Sequence, residues 1–154
     1  MIRVSSWRPA KIVTILSILV LLGTGGLLVP QYHATERRLR EVALEADLDY
    51  LNHAIKRYAT DHHGSLPGME DGMVDHDLMR RQLTLPSTSD GSIAPNGPFG
   101  PYLKAGVPPN PWNGSNEIKV VTTNTPPPPD GTTGWVLHVP SKKMLSNAHS
   151  KDLR

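Results

Sequence analysis

The feature that most constrains this chain is a continuous helical pattern from Ile12 to His63, made of two unlike halves. The first half, residues 12–29, holds eighteen uncharged residues in a row. The second half, residues 31–63, is charged, but its apolar residues recur at alternating spacings of four and three, the period of an amphipathic helix. Pro30 separates the halves. At 1.5 Å per residue the apolar half is about 27 Å long, just enough for the hydrocarbon core of a bilayer, and we predict a membrane-rooted helix.

A cleaved secretory signal is the alternative, because a basic segment followed by an apolar stretch fits both interpretations. Small residues suited to cleavage occur between positions 23 and 26. The apolar run continues beyond them to Val29, and a helical pattern follows, so we favour a retained anchor. Basic residues behind the span nearly balance those before it. The α-amino group and the long polar tail then decide the orientation, and we expect the N-terminus to lie in the cytoplasm and the C-terminal part outside it.

The charge of the chain is uneven and argues against one class of partner. Sixteen Lys and Arg stand against fourteen Asp and Glu, and three of the basic residues precede the apolar run. Beyond Pro30, thirteen basic residues therefore face fourteen acidic ones, so no basic surface for nucleic acid is expected. No cysteine is present, which excludes disulfides and thiolate metal sites.

The residues from Gly64 onwards have the composition of a small cap rich in loops, because the 13 glycines and 15 prolines are concentrated there. A short helix is predicted within residues 74–83. Strands are predicted at residues 117–122, 135–139 and 143–145. The predicted fold class is α+β: a long N-terminal helix, with a membrane-spanning half and an amphipathic half, packed against a small antiparallel sheet of two to three strands with long loops.

These patterns divide the chain into five segments. They are a cytoplasmic basic N-terminus (1–11), a transmembrane helix (12–30), an amphipathic helical spine (31–63), a loop-rich cap with a C-terminal hairpin (64–145) and a disordered tail (146–154).

Several of these pieces resemble the type IV pilin and pseudopilin superfamily, and most of all the major pseudopilin of type II secretion systems. The order of elements is similar, with a proline near the end of the apolar half of the helix. Residues 97–104 read GPFGPYLK and residues 108–114 read PPNPWNG, similar to a GPYLK…NPW segment of that family. Residues 134–136, GWV, stand where the family begins its terminal hairpin. The likeness covers most of residues 12–145 and implies a pilin-like fold.

One departure concerns the processing site. The family's leader ends in glycine followed by phenylalanine, and a glutamate lies five residues into the mature helix. Counting back from Pro30 places the cleavage point between Arg8 and Pro9 and the glutamate position at Val13. No glycine precedes Gly23 and no acidic residue precedes Glu36. The N-terminal prepilin motif is therefore degenerate.

The expected site residues fall into three groups. Assembly and anchoring are assigned to Ile12, Ile15, Leu19, Leu22, Gly23, Gly26 and Pro30. The core of the cap is assigned to Leu51, Ile55, Tyr58, Trp112 and Trp135. The family resemblance implies a calcium site in the C-terminal loops, for which only Asn124 and Asp130 are candidate ligands, too few to assign it; otherwise no cofactor is expected.

The histidine clusters at residues 61–63 and 75–77 are interpreted as solvated polar residues more readily than as a metal site, because adjacent histidines point in different directions from a helix end. No catalytic motif is present in the sequence, and the chain is not expected to be an enzyme.

The resemblance implies a structural subunit of a periplasmic filament in type II protein secretion, held at the inner membrane by a single span with its C-terminal part in the periplasm. The expected partners are itself or other pseudopilins through the N-terminal helices, secretion-machinery proteins and membrane lipid. One alternative is a stand-alone, membrane-anchored binding module with a pilin-like fold that does not polymerise. Another is an exported soluble protein.

Overall fold

A computed structural model describes the backbone of residues 9–70 and 72–148 and the side chains of residues 34–70 and 72–148. The chain divides into two compact units, Met1–Leu39 and Arg40–Arg154. The first unit contains the beginning of helix α1, which runs from Pro9 to Asp61. The second unit contains the rest of α1 and every other element.

The predicted fold class is wrong in its membrane-spanning half. In the part of the chain that the structure describes, no helix is long and apolar enough to cross a membrane. The physical reason lies in α1 from Ala34 onwards, where charged residues such as Glu36, Arg40 and Glu45 recur along the helix and interrupt any apolar window of the length that a membrane requires. The side chains of the predicted span, residues 12–30, lie outside the described set.

The C-terminal half of α1 is amphipathic and supplies one wall of the core. Leu51, Ile55 and Tyr58 recur at helical spacing and are each at most 2% exposed. The helix ends at Asp61, and the Gly64 N–H then donates to the Ala59 carbonyl at 2.7 Å. Gly64 has a φ of 88°, which a glycine adopts without strain.

A short hairpin and a second helix follow α1. Strands β1 (Met69–Glu70) and β2 (Met73–Val74) pair antiparallel, and helix α2 spans His76–Thr84. The Asp75 carboxylate accepts the Leu78 N–H at 2.9 Å and so caps α2. The helix predicted within residues 74–83 is present, but it begins at His76 because Asp75 is its N-cap.

The main sheet has three strands in the order β3 (Ile118–Val121), β4 (Trp135–His138) and β5 (Lys143–Ser146). Strands β4 and β5 form an antiparallel hairpin, whereas β3 and β4 run parallel. The prediction of an antiparallel sheet is therefore wrong for β3 and β4, whereas the predicted pairing of the last two strands is present.

The reason for the parallel pairing lies in the connection between β3 and β4, residues 122–134. A parallel pair needs a crossover of about a dozen residues, and this connection is long enough. It contains four consecutive prolines, residues 126–129, whose extended conformation advances about 3.1 Å per residue and cannot form a tight hairpin. The chain therefore returns to the start of the sheet before β4 begins.

The sheet is covered on both faces. On one face Trp135, Leu137 and Met144 join the core cluster that includes the α1 stripe. On the other face lies the crossover, where His138 Nε2 is 2.9 Å from the Thr123 carbonyl oxygen and Asp130 meets Lys119. Burial on both faces agrees with β4, whose four residues are all buried.

The predicted disordered tail, 146–154, begins inside an ordered part of the structure. Ser146 ends β5, and Asn147 and Ala148 are 1% and 2% exposed. The Asn147 amide lies among crossover side chains, with Nδ2 donating to Asp130 Oδ1 at 2.7 Å and to Thr133 Oγ1 at 2.8 Å. Residues 149–154 lie outside the described part.

Candidate functional site

Helix α1 carries a second apolar face in addition to the one that it buries. Val42, Ala43, Ala46 and Tyr50 form this face, which we call the outer face. Val42, Ala46 and Tyr50 are spaced four residues apart and therefore lie along one side of the helix. Val42 is 65% exposed and Tyr50 39%, although both are apolar in body. Leu39, at the end of the first unit, is also 65% exposed.

A single exposed apolar side chain needs no explanation, but an aligned set on one helix face is typical of a surface that packs against another helix. Glu45 and Asp49, which border the outer face on one side, are polar and exposed, and the exposed His53 ends the face beyond Tyr50. An apolar stripe with a polar border is the arrangement found in helix-to-helix interfaces.

The residues predicted to serve assembly and anchoring have no described side chains. Their positions, Ile12, Ile15, Leu19, Leu22, Gly23, Gly26 and Pro30, all fall within the α1 backbone. Within the described side chains of α1, the outer face is the exposed apolar surface. In the sequence, the apolar residues of the outer face lie beside those of the buried stripe, Leu51, Ile55 and Tyr58. The helical period alone does not distinguish the exposed positions from the buried ones.

The residues predicted for the core of the cap are all buried, and four of the five come together. Leu51, Ile55, Tyr58 and Trp135 belong to one cluster. Trp112, at 6% exposed, lies outside that cluster, beneath the Arg40 guanidinium at 5.7 Å from the ring centroid. Its indole Nε1 is buried and, among the residues that the structure describes, has no hydrogen-bond partner.

The residues on which the family resemblance rests hold segments of this cap against one another. A Cβ at Gly97 would collide with the Ser87 carbonyl, so only glycine fits where the two backbones meet. The Tyr102 hydroxyl donates to Asp61 Oδ2 at 2.9 Å and so ties its segment to the end of α1. Asn110, fully buried, donates from Nδ2 to the Gly134 carbonyl at 2.8 Å and holds the start of β4.

A buried polar cluster around His62 was not anticipated from the sequence. His62 is 2% exposed, and its Nε2 lies 3.2 Å from both Ser87 Oγ and Tyr102 Oη. Its Nδ1 lies 3.2 Å from the Ser89 carbonyl oxygen, which can only accept, so Nδ1 carries a proton. The contact between Ser87 and His62 is similar to that in a serine–histidine dyad. No spacing in the sequence predicts this contact, because the two residues are 25 positions apart.

The residues of this cluster hold the cap together, and Ser87 is not placed to act as a nucleophile. Ser87 is 0% exposed, and its backbone pairs with Phe99 at 2.9 and 3.2 Å, so no substrate reaches its hydroxyl. Burial, with a smaller contribution from the Asp90 carboxylate, raises the pKa of Tyr58 to about 12. Burial and then the hydrogen bond to Asp61 raise the pKa of Tyr102 as well. Both tyrosines therefore remain neutral, and Tyr102 keeps the proton that it donates to Asp61.

The calcium candidates Asn124 and Asp130 do not come together as a ligand set. Asn124 is exposed, whereas the Asp130 carboxylate accepts from Thr132 and Asn147 and pairs with Lys119 Nζ at 3.0 Å. These donors, Thr132 first, lower the pKa of Asp130. Among the described residues there is no group of three or more His, Cys, Asp or Glu that could hold a metal ion.

The two histidine clusters of the sequence are also separated by the fold. His62 is buried in the core and His63 is exposed. Their directions diverge because His63 has a φ of 57° just beyond the end of α1. Asp75 is committed to the α2 cap, and His76 and Asp77 line a surface groove with Arg80.

That groove, of about 470 Å³, lies between α2 and the outer edge of β3. The backbone ladder to β4 uses the Glu117 and Val121 carbonyls, which accept from Trp135 and Val139 at 3.0 and 2.9 Å. In a parallel ladder alternate residues point to opposite sides, so Ile118 and Val120 direct their backbone groups away from β4. Among the described residues these groups have no hydrogen-bond partner, so this edge of β3 is open on the side of the groove.

Comparisons of the chain with protein-family models, with curated protein sequences and with solved structures found no match.

Proposed function

We propose that this chain is a structural, pilin-like subunit of a periplasmic filament in type II protein secretion, and not an enzyme. The observation that supports the proposal most is the outer face of α1, an aligned apolar stripe that the cap leaves exposed. A filament subunit needs such a face, because neighbouring helices can cover it and gain apolar burial. The periplasmic location at the inner membrane is implied by the family resemblance and belongs to the same proposal.

The buried polar cluster adds support of a different kind. Its members fasten the end of α1 to the loops of the cap, and Ser87 is inaccessible. The polar residues that most resemble catalytic groups thus have a structural role, which agrees with a subunit that performs no reaction.

Val42→Glu in the full chain tests the proposal. Burying a valine contributes about 1.5–3 kcal/mol, so replacing it by a charge should weaken association roughly tenfold or more. The measurement is the size distribution of the detergent-extracted or membrane-bound full chain. Glu45→Gln is the matched control, because it lies in the same turn outside the outer face. Unchanged multimers in Val42→Glu would contradict the proposal.

A stand-alone binding module is the second candidate, and the groove beside β3 favours it. An open strand edge can pair with an extended peptide through main-chain hydrogen bonds. If the full chain remains monomeric in the membrane and an extended peptide protects the amides of Ile118 and Val120 from hydrogen exchange, this candidate replaces the filament subunit.

A further inference from the structure

A second groove of the cap, of about 560 Å³, lies between α1 and the turn that joins β4 to β5. Lys56, Lys142 and Lys143 border it, and Ile55 and Ala59 contribute apolar lining. We call it the lysine groove. Asp49 is the one acidic residue among its lining residues, so these residues carry a net positive charge.

The walls of the lysine groove are held in place before any partner arrives. Asn52 Oδ1 accepts the Met144 N–H at 2.9 Å, and Asn52 Nδ2 donates to the Met144 carbonyl at 3.1 Å, which fixes β5 against α1. Lys142 Nζ donates to the Gly64 carbonyl at 3.1 Å and anchors the turn to the end of α1. A groove with fixed walls loses little conformational entropy on binding.

The same cap presents a complementary surface elsewhere, at the hairpin formed by β1 and β2 and at the start of α2. Glu70, Asp75 and Asp77 line a shallow surface cleft there together with Met73. We call residues 69–70 and 72–77 the acidic hairpin. Met73 is 71% exposed, the highest value among the exposed large hydrophobic residues that the structure describes. An exposed methionine surrounded by carboxylates is typical of an adaptable contact surface.

We propose that the acidic hairpin of one copy docks into the lysine groove of the next copy. Carboxylates meet ammonium groups at the border, and Met73 reaches the apolar lining around Ala59. The argument for a second copy is charge complementarity between two surfaces that share no residue and are supplied by one chain in equal numbers. The inference rests on the proposed function, because it names a contact between caps within the same filament.

The symmetry of this contact agrees with a filament. Hairpin and groove are different surfaces, so the contact is heterologous and each copy retains one free hairpin and one free groove. Such a contact repeats along an open chain and does not close at two copies. Exposed ion pairs are screened by salt, so the contact should weaken as ionic strength rises from about 0.05 M to about 0.5 M.

Engineered cysteines test the contact sharply, because the natural chain has none. The full-length Lys56→Cys, Met73→Cys double variant is expected to form a ladder of disulfide-linked multimers on oxidation. Each single variant alone should give no ladder, and Asn96→Cys combined with Met73→Cys is the matched control on an exposed position outside both surfaces. Dimers in Met73→Cys alone would show hairpins facing each other and would overturn the inference.

Charge reversal provides the second arm. Lys143→Glu and Glu70→Lys should each weaken multimerisation about two- to fivefold, as expected for one exposed ion pair, and the double variant should recover it. Additive losses without recovery would overturn the contact. If Lys143→Glu instead abolishes binding to vesicles of anionic phospholipid and leaves the crosslinks unchanged, the groove is a lipid surface and the inference fails.

Crosslinking through Ala46→Cys on the outer face, performed in parallel, separates this inference from the function on which it rests. No ladder from Lys56→Cys, Met73→Cys while Ala46→Cys still crosslinks would overturn the hairpin contact alone. Loss of both would overturn the filament proposal as well.

Discussion

At the scale of single residues, Asp130 illustrates how a polar side chain can stabilise a loop without serving as a ligand. Its carboxylate joins the crossover to β3 through Lys119 and to the end of β5 through Asn147. The sequence identified Asp130 as an acidic residue in a turn, next to Gly131. It could not identify the donors, because they come from strands whose pairing depends on the whole cap.

Asp130→Asn should lower stability in a way that depends on pH. The pKa of Asp130 is lower in the folded chain than its ordinary value of 3.8, because the folded state supplies donors, Thr132 first. Its stabilisation is therefore complete above pH 3.8 and is lost as the pH falls below that value towards the folded pKa. We expect the difference in unfolding free energy between the natural chain and Asp130→Asn to be constant from about pH 5 to 7 and to shrink below about pH 4.

Urea unfolding of both chains across this pH range measures the effect. Glu117→Gln is the control, since it removes one negative charge beside β3 while leaving the hydrogen bonds of the crossover in place. A difference that grows as the pH falls would contradict this account of Asp130.

At the scale of elements, the positions of the strands could be predicted, whereas their directions could not. Residues 135–137 are β-branched, aromatic or apolar and lie between turn signals, so the sequence predicts a strand there. The direction of β4 relative to β3 depends on the crossover between them. Its extended prolines carry the chain back to the start of the sheet, so that β4 runs parallel to β3. The α2 start was off by two residues because the Asp75 cap was not recognised in a stretch with several acidic residues.

The edges of the sheet also differ in a way that sequence does not reveal. Asn52, a polar residue within α1, bonds both backbone groups of Met144 and so closes the outer edge of β5. The opposite edge, at β3, is open. A side chain that completes a strand edge is recognisable only when the helix and the strand, 92 residues apart in sequence, are seen together.

Asn52→Ala should destabilise the cap by about 1–3 kcal/mol, because it leaves the Met144 N–H and carbonyl without these partners. Thr60→Ala is the control on the same helix, since the Thr60 hydroxyl bonds only to the Lys56 carbonyl within the helix. Chemical denaturation gives the two free energies, and hydrogen exchange at Met144 gives the local effect. A loss for Asn52→Ala no larger than for Thr60→Ala would contradict the proposed role of Asn52.

At the scale of the whole molecule, the burial of the cap core and the exposure of the outer face separate two roles of α1. The helical period predicted a wide apolar surface but could not say which part the cap would cover. The structure divides that surface into the stripe around Leu51 and Ile55, which is buried, and the side with Val42, which is 65% exposed. The proposed function depends on this exposed side.

Cysteine crosslinking of the full chain tests that central claim most directly. Ala46→Cys lies on the outer face, and Glu45→Cys, the adjacent residue, is turned away by about 100° on the same helical turn. If neighbouring copies pack through the outer face, oxidation should produce disulfide-linked dimers from Ala46→Cys, because a single cysteine per chain joins two copies, and only background from Glu45→Cys. Equal crosslinking at both positions, or none at Ala46→Cys, would contradict the claim that this face assembles the protein.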